Sequence, residues 1–251
     1  EKADTYLAPE VDTSGSDVQT ALNSFLREPI NARCCVLFGT GGLGKSMSAY
    51  ILCTQLLNDL RLGQDAYFPV FLRPAADKWA HSNLDGLAAK AMELLGCADL
   101  DHVKGFKLLF VLDGFDELAG DPGNNLLEQL GVDKYPKSKL LVSCRPGVVE
   151  KPSEVFGSTR VEYTLQPFKD QQIIQYLQKN VDGRENFDQV LELPALRSAL
   201  ETPFVLFLFS QSWSRQKQHL RALKHRGQIY KAFVEHWVLE MDLPQEVLGT
   251  L

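Results

Sequence analysis

The sequence predicts an α/β fold, a parallel sheet between two layers of helices, followed by a small all-α helical domain. Two observations carry this prediction. Short and almost wholly apolar runs, typical of strands buried on both faces, alternate with helical patterns over residues 1–165. After residue 165 the apolar residues recur only at helical spacing, as Ile229, Phe233 and Trp237 do. We therefore predict an α/β domain over 1–165 and a helical domain over 166–251.

The individual elements follow from these patterns. The predicted strands are CCVLF (34–38), YFPVFL (67–72), KLLFVL (107–112), KLLVSC (139–144) and VEYTL (161–165). Helical periodicity covers 18–26, 47–60 and 84–95. Because strands that alternate with helices form parallel sheets covered on both faces, these elements predict a three-layer αβα domain.

Composition and charge narrow the class of protein. The chain has 251 residues, of which 45% are hydrophobic and 23% are charged, and this is a globular composition. Its net charge of -6 makes it a poor candidate for a nucleic-acid binder, which needs a broad basic surface. The five cysteines are odd in number and lack paired spacing, so buried, reduced thiols are expected.

Targeting signals are the next question. No apolar run approaches the roughly 18 residues of a membrane span, and no signal peptide follows Glu1. A cytoplasmic location is therefore expected. Because the first residue is not Met, we also expect further domains on one or both sides of this segment.

The string GTGGLGKS, residues 39–46, fits the phosphate-loop (P-loop) pattern G-x-x-x-x-G-K-[ST], between an apolar strand and a helix-forming run. Its glycines allow backbone N–H groups to surround a phosphate chain, and the helix that follows adds the positive end of its dipole. Lys45 is expected to reach the β- and γ-phosphates and Ser46 to ligate Mg²⁺. A glycine-rich turn that binds nothing is the alternative, which the complete pattern makes remote. The expected nucleotide contacts are Gly39, Thr40, Gly41, Gly42, Leu43, Gly44, Lys45, Ser46 and Met47.

A second motif, LLFVLDGFDEL (108–118), is an apolar strand that ends in acids. Asp113 is placed to hold Mg²⁺ at the carboxyl edge of the sheet, as a Walker B aspartate does. Asp116 and Glu117 lie one turn beyond, where a carboxylate can orient or deprotonate the attacking water. The alternative is that both are turn or N-cap residues of the next helix. Beside a complete P-loop we expect a catalytic role for at least one of them.

Arg145 follows the strand 139–144 and is expected to project from the same sheet edge as Asp113, where an arginine can stabilise charge on a γ-phosphate. An ordinary surface ion pair is the alternative. Arg33, just before the first strand, is interpreted as a surface charge, and the basic segment 215–226 as a solvated face. Because no N-K-x-D string for reading guanine is present, ATP/ADP is favoured over GTP.

The string LDGFDEL resembles the Walker B segment of the NACHT family, which places a small residue after the magnesium aspartate and two acids shortly afterwards. Most P-loop ATPases have the catalytic glutamate directly after that aspartate, where this chain has Gly114. Further segments resemble the family in the same order: FPVFLRP (68–74), LLVSCRP (140–146), LQPFKDQQIIQYL (165–177), LETPFVLFLF (200–209) and GQIYKAFVEHWV (227–238). The resemblance therefore covers nearly the whole chain.

The resemblance implies roles for particular residues. Arg145 corresponds to the γ-phosphate sensor, Pro203 to the proline that packs beside the adenine, and 6–9 to a segment that covers the base. The cofactors implied are ATP/ADP and Mg²⁺. The family's winged-helix domain, which supplies a histidine to the β-phosphate of ADP, would begin near residue 251. No histidine of this chain is assigned that role.

The resemblance also implies a function, that of a slow ATPase and conformational switch. In this scheme ADP holds a closed monomer, whereas ATP permits opening and self-oligomerisation. Flanking effector and sensor domains of the same protein would carry the signalling, for which immunity or cell death is the family's usual theme. Two alternatives remain: a scaffold that holds ADP and hardly hydrolyses ATP, and a P-loop ATPase stimulated by nucleic acid. The acidic balance of the chain disfavours the second.

Overall fold

The computed structural model describes residues 6–12, 15–29, 31–73, 89, 93, 96, 105–118, 123, 125–181, 187–216, 227–231 and 234–235. Almost all of the predicted helix 84–95 and most of the basic segment 215–226 lie outside these residues, as do Cys97 and Trp237. The chain divides into two compact units. One comprises Glu10–Gln166 and the other comprises Glu1–Pro9 with Pro167–Leu251. Each unit is described by itself.

The first unit contains a five-stranded sheet, and every strand pair in it is parallel. The strands are β1 (Cys34–Phe38), β2 (Phe68–Leu72), β3 (Leu108–Leu112), β4 (Lys139–Cys144) and β5 (Val161–Thr164). They lie in the order β2-β3-β4-β1-β5. All five predicted strands are present, and the predicted α/β fold class is confirmed.

The strand order determines which residues meet at the carboxyl edge of the sheet. Strand β4 lies between β1 and β3 and is buried along its whole length, as β3 is. In the register, Phe38 of β1 pairs with Cys144, and Leu112 of β3 pairs with Val142. The loops after β1 and β3 therefore emerge on either side of the end of β4, as expected where parallel strands bind a ligand.

Helices complete this unit. Among the described residues they include α1 (Val18–Arg27), α2 (Lys45–Arg61), α3 (Leu126–Gln129) and α4 (Pro152–Phe156), with one-turn 3-10 helices at Phe115–Glu117 and Val132–Lys134. The carboxylate of Asp17 caps α1 by accepting the N–H groups of Gln19 and Thr20, each at 3.0 Å. α2 begins at Lys45, as the P-loop motif predicts.

Two cations support the sheet from the side opposite the P-loop. Arg33 is not the surface charge that its sequence position suggests, because its guanidinium donates to the carbonyls of Val132, Tyr135 and Ser138 at 2.7–3.1 Å. Lys139 is fully buried, and its ammonium donates to the carbonyls of Phe25 and Glu28 at the end of α1. Both side chains thus donate hydrogen bonds to backbone carbonyls at the ends of elements that are distant in the sequence.

The second unit is helical. It contains α5 (Asp170–Asn180), α6 (Asp188–Leu191), α7 (Pro194–Leu200) and α8 (Pro203–Gln216). Its core includes Leu177, Leu200 and Phe209, and Leu7 packs against this core. Trp213 is 5% exposed and forms edge-to-face contacts with Phe187 and Phe209, so it is a core residue.

The cysteines that the structure describes are Cys34, Cys35, Cys53 and Cys144, and all four are buried free thiols. Burial raises the pKa of Cys34 and of Cys144 to about 12, which keeps both thiols protonated at neutral pH. In the described part of the chain, none of the helices combines the length and the apolar character that a membrane crossing requires.

Candidate nucleotide-binding site

The P-loop joins the end of β1 to the start of α2. Gly42 and Gly44 have φ angles of 81° and 99°, a left-handed backbone that glycine adopts without Cβ strain. Gly39 is needed for another reason: a Cβ there would lie 3.3 Å from the Cβ of Leu165. Because Gly44 is the N-cap residue of α2, no side chain caps this helix. The N–H groups of its first turn are therefore available to an anion.

Lys45, the first residue of α2, folds back over the loop. Its ammonium donates to the carbonyl of Gly39 at 2.6 Å, with a longer contact of 3.4 Å to the carbonyl of Thr40. Partial burial lowers the pKa of Lys45, and the nearby Asp116 carboxylate opposes this shift. The cation is thus held inside the loop by weak carbonyl partners, which phosphate oxygens can replace with stronger charge-assisted hydrogen bonds.

Asp113, directly after β3, is joined to the P-loop and to β4. Its Oδ1 atom accepts the hydroxyl of Ser46 at 2.9 Å and the hydroxyl of Ser143 at 2.6 Å. The Ser143 hydroxyl in turn accepts the N–H of Gly114 at 2.8 Å. These bonds link the ends of β3 and β4 to the start of α2, so the two residues predicted to ligate Mg²⁺ lie side by side.

Ser143 was not among the residues expected at the site. It is 2% exposed and is the second-to-last residue of β4, and its hydroxyl donates a hydrogen bond to the Asp113 carboxylate. The sequence does contain one signal, a hydroxyl at the end of an otherwise apolar strand. That signal could not identify the partner, because Ser143 lies in β4 and Asp113 follows β3, 30 residues earlier in the chain.

Asp116 and Arg145 form a close ion pair. The Oδ2 atom of Asp116 lies 2.9 Å from Nε of Arg145, and its Oδ1 atom accepts the backbone N–H of Arg145 at 3.0 Å. The Asp116 side chain is 6% exposed, whereas the Arg145 side chain is 57% exposed. Both carboxylate oxygens of Asp116 therefore face Arg145, whose side chain is otherwise largely exposed.

Glu117 ends the 3-10 helix that begins at Phe115, and it is exposed. Gly114 has a φ of 82°, and a Cβ at this position would lie 3.3 Å from Cδ and Oε2 of Glu117. The carboxylate of Glu117 therefore folds back over the peptide that follows Asp113. A glycine after Asp113 allows this approach, which a side chain would obstruct.

The remaining expected nucleotide contacts are distributed as follows. Thr40 and Gly41 are exposed in the loop, Leu43 is buried beneath it, and Met47 is 48% exposed in the first turn of α2. Pro203 is the first residue of α8 and belongs to the helical unit. Its contact with adenine stays a prediction.

The donor set suits a magnesium nucleotide. Mg²⁺ takes hard oxygen ligands and usually combines one or two protein groups with phosphate oxygens and water. Ser46 and Asp113 supply one hydroxyl and one carboxylate. The described residues contain no group of three or more His, Cys, Asp or Glu side chains that could bind a metal without such help. A Cβ on Gly41 would meet no atom within 4 Å, which leaves open space where a phosphate can approach the backbone.

Comparisons with solved structures agree with this architecture. The ORC2 protein of Aeropyrum pernix, solved as ADPNP–ADP complexes, is 13% identical to this chain at a TM-score of 0.55, covering 92% of this chain and 70% of that one. The ORC1 protein of Aeropyrum pernix in complex with DNA is 17% identical, also at 0.55, covering 87% and 63%. A RuvB mutant of Thermotoga maritima is 12% identical at 0.50, covering 88% and 69%. These similarities concern the fold. A comparison with curated proteins gave no match.

The parallel sheet, the glycine-rich loop before α2 and the acid after β3 define a P-loop NTPase domain. The model of the NACHT domain matches residues 33–183, and the chain belongs to this family. Nucleotide binding, and nucleotide hydrolysis in general, is the chemistry of such domains.

Proposed function

We propose that this chain is an ATP- and ADP-binding NACHT module that hydrolyses ATP slowly and acts as a nucleotide-dependent conformational switch. The observation that carries the proposal is the hydrogen bond between Ser46 and Asp113. It joins the end of the P-loop to the Walker B acid, and this supports Ser46 and Asp113 as the two protein ligands of one Mg²⁺ ion. The open N-terminus of α2 and the ammonium of Lys45 complete the phosphate site.

In the proposed binding mode, the triphosphate lies along the N-terminus of α2. The Lys45 ammonium leaves the carbonyl of Gly39 and donates to β- and γ-phosphate oxygens. Ser46 and Asp113 hold Mg²⁺, which neutralises phosphate charge when bound. Arg145, whose side chain is 57% exposed, directs its terminal nitrogens at the γ-phosphate. Met47, near the loop, and Pro203, in the helical unit, are the proposed apolar contacts of the nucleotide.

In the proposed hydrolysis, a water oxygen bonds to the γ-phosphorus. The bond between this phosphorus and the oxygen that bridges to the β-phosphate breaks, and ADP leaves with the electron pair. The proton of the water passes to a carboxylate of the 3-10 helix, Asp116 or Glu117, and from there to solvent. Lys45 and Arg145 stabilise the charge on the transferred group.

The proposed switch changes the conformation and the oligomeric state of the module. In the ADP state the module is a closed monomer, and in the ATP state it opens and self-associates. We further propose that it works in the cytoplasm within a larger signalling protein, whose effector and sensor domains flank it. Membership of the NACHT family supports this proposal.

Solution scattering with light-scattering mass measurement tests the switch. We expect the chain with Mg²⁺ and ADP to be a compact monomer, and with a non-hydrolysable ATP analogue to have a larger radius of gyration or a larger mass. Lys45→Ala should give the same curve under both conditions. Identical wild-type curves with both nucleotides bound would refute the switch.

Phosphate release from ATP, measured with the same two proteins, separates the alternatives. Wild-type turnover that exceeds that of Lys45→Ala supports an ATPase. Tightly bound ADP without turnover would favour the scaffold that holds ADP. Turnover that rises steeply on addition of DNA, and falls with salt, would favour a P-loop ATPase stimulated by nucleic acid. The Aeropyrum pernix ORC1 protein is described in complex with DNA, which makes this a worthwhile arm of the test.

Gly114→Ala is expected to lower turnover by at least about 10-fold, because a displacement of about 1 Å in a catalytic group can cost up to 100-fold. The added methyl group would lie 3.3 Å from the Glu117 carboxylate and would force it aside. The left-handed backbone should cost a further 1–2 kcal/mol, roughly, in folding free energy. Steady-state phosphate release and thermal unfolding measure the two effects.

Gly63→Ala is the matched control for this substitution. Gly63 has a φ of 74° and open space around its Cα, so the variant has the same backbone strain without a steric contact. We expect a comparable loss of stability and unchanged turnover below the melting temperature. Equal turnover in the Gly114 and Gly63 variants would show that Gly114 does not position Glu117.

A further inference from the structure

Two acids follow Asp113 within one turn, and they have different surroundings. Both oxygens of Asp116 contact Arg145: one accepts the backbone N–H at 3.0 Å, and the other lies 2.9 Å from Nε in an ion pair. The carboxylate of Glu117 is exposed and forms no hydrogen bond with the residues that the structure describes. An attacking water can therefore reach the oxygens of Glu117 more readily than those of Asp116.

The pairing leaves Arg145 in a defined orientation. The ion pair involves Nε, the inner nitrogen of the guanidinium, and the hydrogen bond from the backbone N–H holds the residue at the end of β4. The terminal nitrogens form no hydrogen bond with the described residues, and the side chain is 57% exposed. An arginine held at Nε can still present its terminal N–H groups to a phosphate oxygen.

The position of the pair in the sheet supports the same role. Strand β4 supplies Ser143, which bonds the carboxylate of Asp113, and then Arg145, which bonds the carboxylate of Asp116. Two alternate residues at the end of β4 thus hold Asp113 and Asp116, two of the three acids that follow β3. Any shift of Asp116 would therefore move the guanidinium relative to the magnesium ligand Asp113.

We propose that Asp116 is a positioning residue, whose carboxylate orients Arg145 so that this arginine distinguishes a triphosphate from a diphosphate. The inference rests on the proposed function and deepens it. Glu117 is then the carboxylate that receives the proton from the attacking water. Asp116 acts only through Arg145, and its removal should alter nucleotide discrimination rather than the proton transfer.

The test compares two affinities, for ADP and for a non-hydrolysable ATP analogue, both with Mg²⁺, by calorimetry. Loss of a hydrogen bond to a charged group weakens binding about 10- to 100-fold. We expect both Asp116→Asn and Arg145→Ala to lower the affinity for the ATP analogue about 10-fold more than the affinity for ADP. The double variant should match Arg145→Ala alone, because Asp116 has no role without its arginine. Glu117→Gln should leave the ratio of the two affinities unchanged and abolish turnover.

Other outcomes overturn the inference. If Asp116→Asn left the affinity ratio unchanged and abolished turnover as Glu117→Gln does, Asp116 would be the carboxylate that receives the proton from the attacking water. Additive effects in the double variant would show that Asp116 acts without Arg145. If the wild type binds neither nucleotide, the proposed function fails along with the inference. If it binds and discriminates but Asp116→Asn discriminates equally well, the inference alone fails.

One control variant and one substitute variant complete the test. Asp170→Asn removes the carboxylate of another aspartate–arginine pair, in which Asp170 lies 2.8 Å from Nε of Arg197 in the helical unit. It should leave both affinities unchanged. If Asp116→Asn does not fold, Arg145→Lys tests the pair from the other side: a lysine keeps the charge but lacks the planar fork, so it should lose discrimination as Arg145→Ala does. Full discrimination by Arg145→Lys would overturn the inference.

Discussion

Lys45→Ala is expected to weaken the binding of ADP and ATP by at least about 100-fold, because hydrogen bonds from an ammonium to charged oxygens contribute about 1.5–3 kcal/mol each. In the structure, the ammonium already lies inside the P-loop, 2.6 Å from the carbonyl of Gly39. No other lysine of the described residues lies in this loop. Calorimetric titration with Mg²⁺ and each nucleotide measures the effect.

The nucleotide that co-purifies with the chain gives a second readout. After acid quench and ion-exchange chromatography, we expect adenine nucleotide in the wild type and none in Lys45→Ala. Arg61→Ala is the control, because Arg61 is an exposed cation in the last turn of the same helix, α2. It should bind nucleotide as the wild type does. Equal binding by Lys45→Ala and the wild type would contradict the assignment of the P-loop, and bound guanine nucleotide would change the base.

The pKa of Lys45 adds a pH dependence to this prediction. Burial lowers that pKa below its ordinary value of 10.5. Since phosphate binding needs the protonated ammonium, the affinity should be constant at neutral pH. It should then fall as the pH rises through the lowered pKa of the free protein, before the pH at which an exposed lysine would deprotonate. In Lys45→Ala this alkaline decline should be absent.

The second large effect concerns folding. Lys139→Ala is expected to lower the free energy of unfolding by about 3–5 kcal/mol, because it creates a cavity and leaves buried carbonyls without a donor. Lys139 is 0% exposed, its ammonium donates to the carbonyls of Phe25 and Glu28, and its nitrogen lies 4.5 Å from the centre of the Phe25 ring. Chemical denaturation followed by circular dichroism measures the loss.

Two variants make this prediction specific. Lys139→Met keeps most of the side-chain volume, so it should cost less than Lys139→Ala and report mainly the lost hydrogen bonds. Lys137→Ala changes an exposed lysine two residues earlier and should alter the unfolding free energy by less than about 0.5 kcal/mol. If Lys139→Ala were as stable as Lys137→Ala, the buried ammonium would have no structural role.

Much of the fold could be predicted from local sequence. The runs CCVLF and KLLVSC are apolar on both faces, and only a central parallel strand buries both faces in this way, so β1 and β4 have the predicted bounds. The start of α2 at Lys45 follows from the P-loop motif, in which Gly42 and Gly44 have the left-handed backbone that glycine adopts without strain. Local patterns determine local elements, and these predictions needed no knowledge of distant contacts.

The α/β class, the positions of the strands, the P-loop and the order of the acids after β3 could thus be predicted from the amino-acid sequence. The packing of the chain in three dimensions determines which polar groups meet. It placed β4 between β1 and β3, and this brought Ser143 to Asp113 and Arg145 to Asp116. It also buried Lys139 at the end of α1. The physical reason is that a strand's neighbours, and the partners of a buried polar group, depend on packing between residues far apart in the chain. The spacing of residues along one strand carries no information about them.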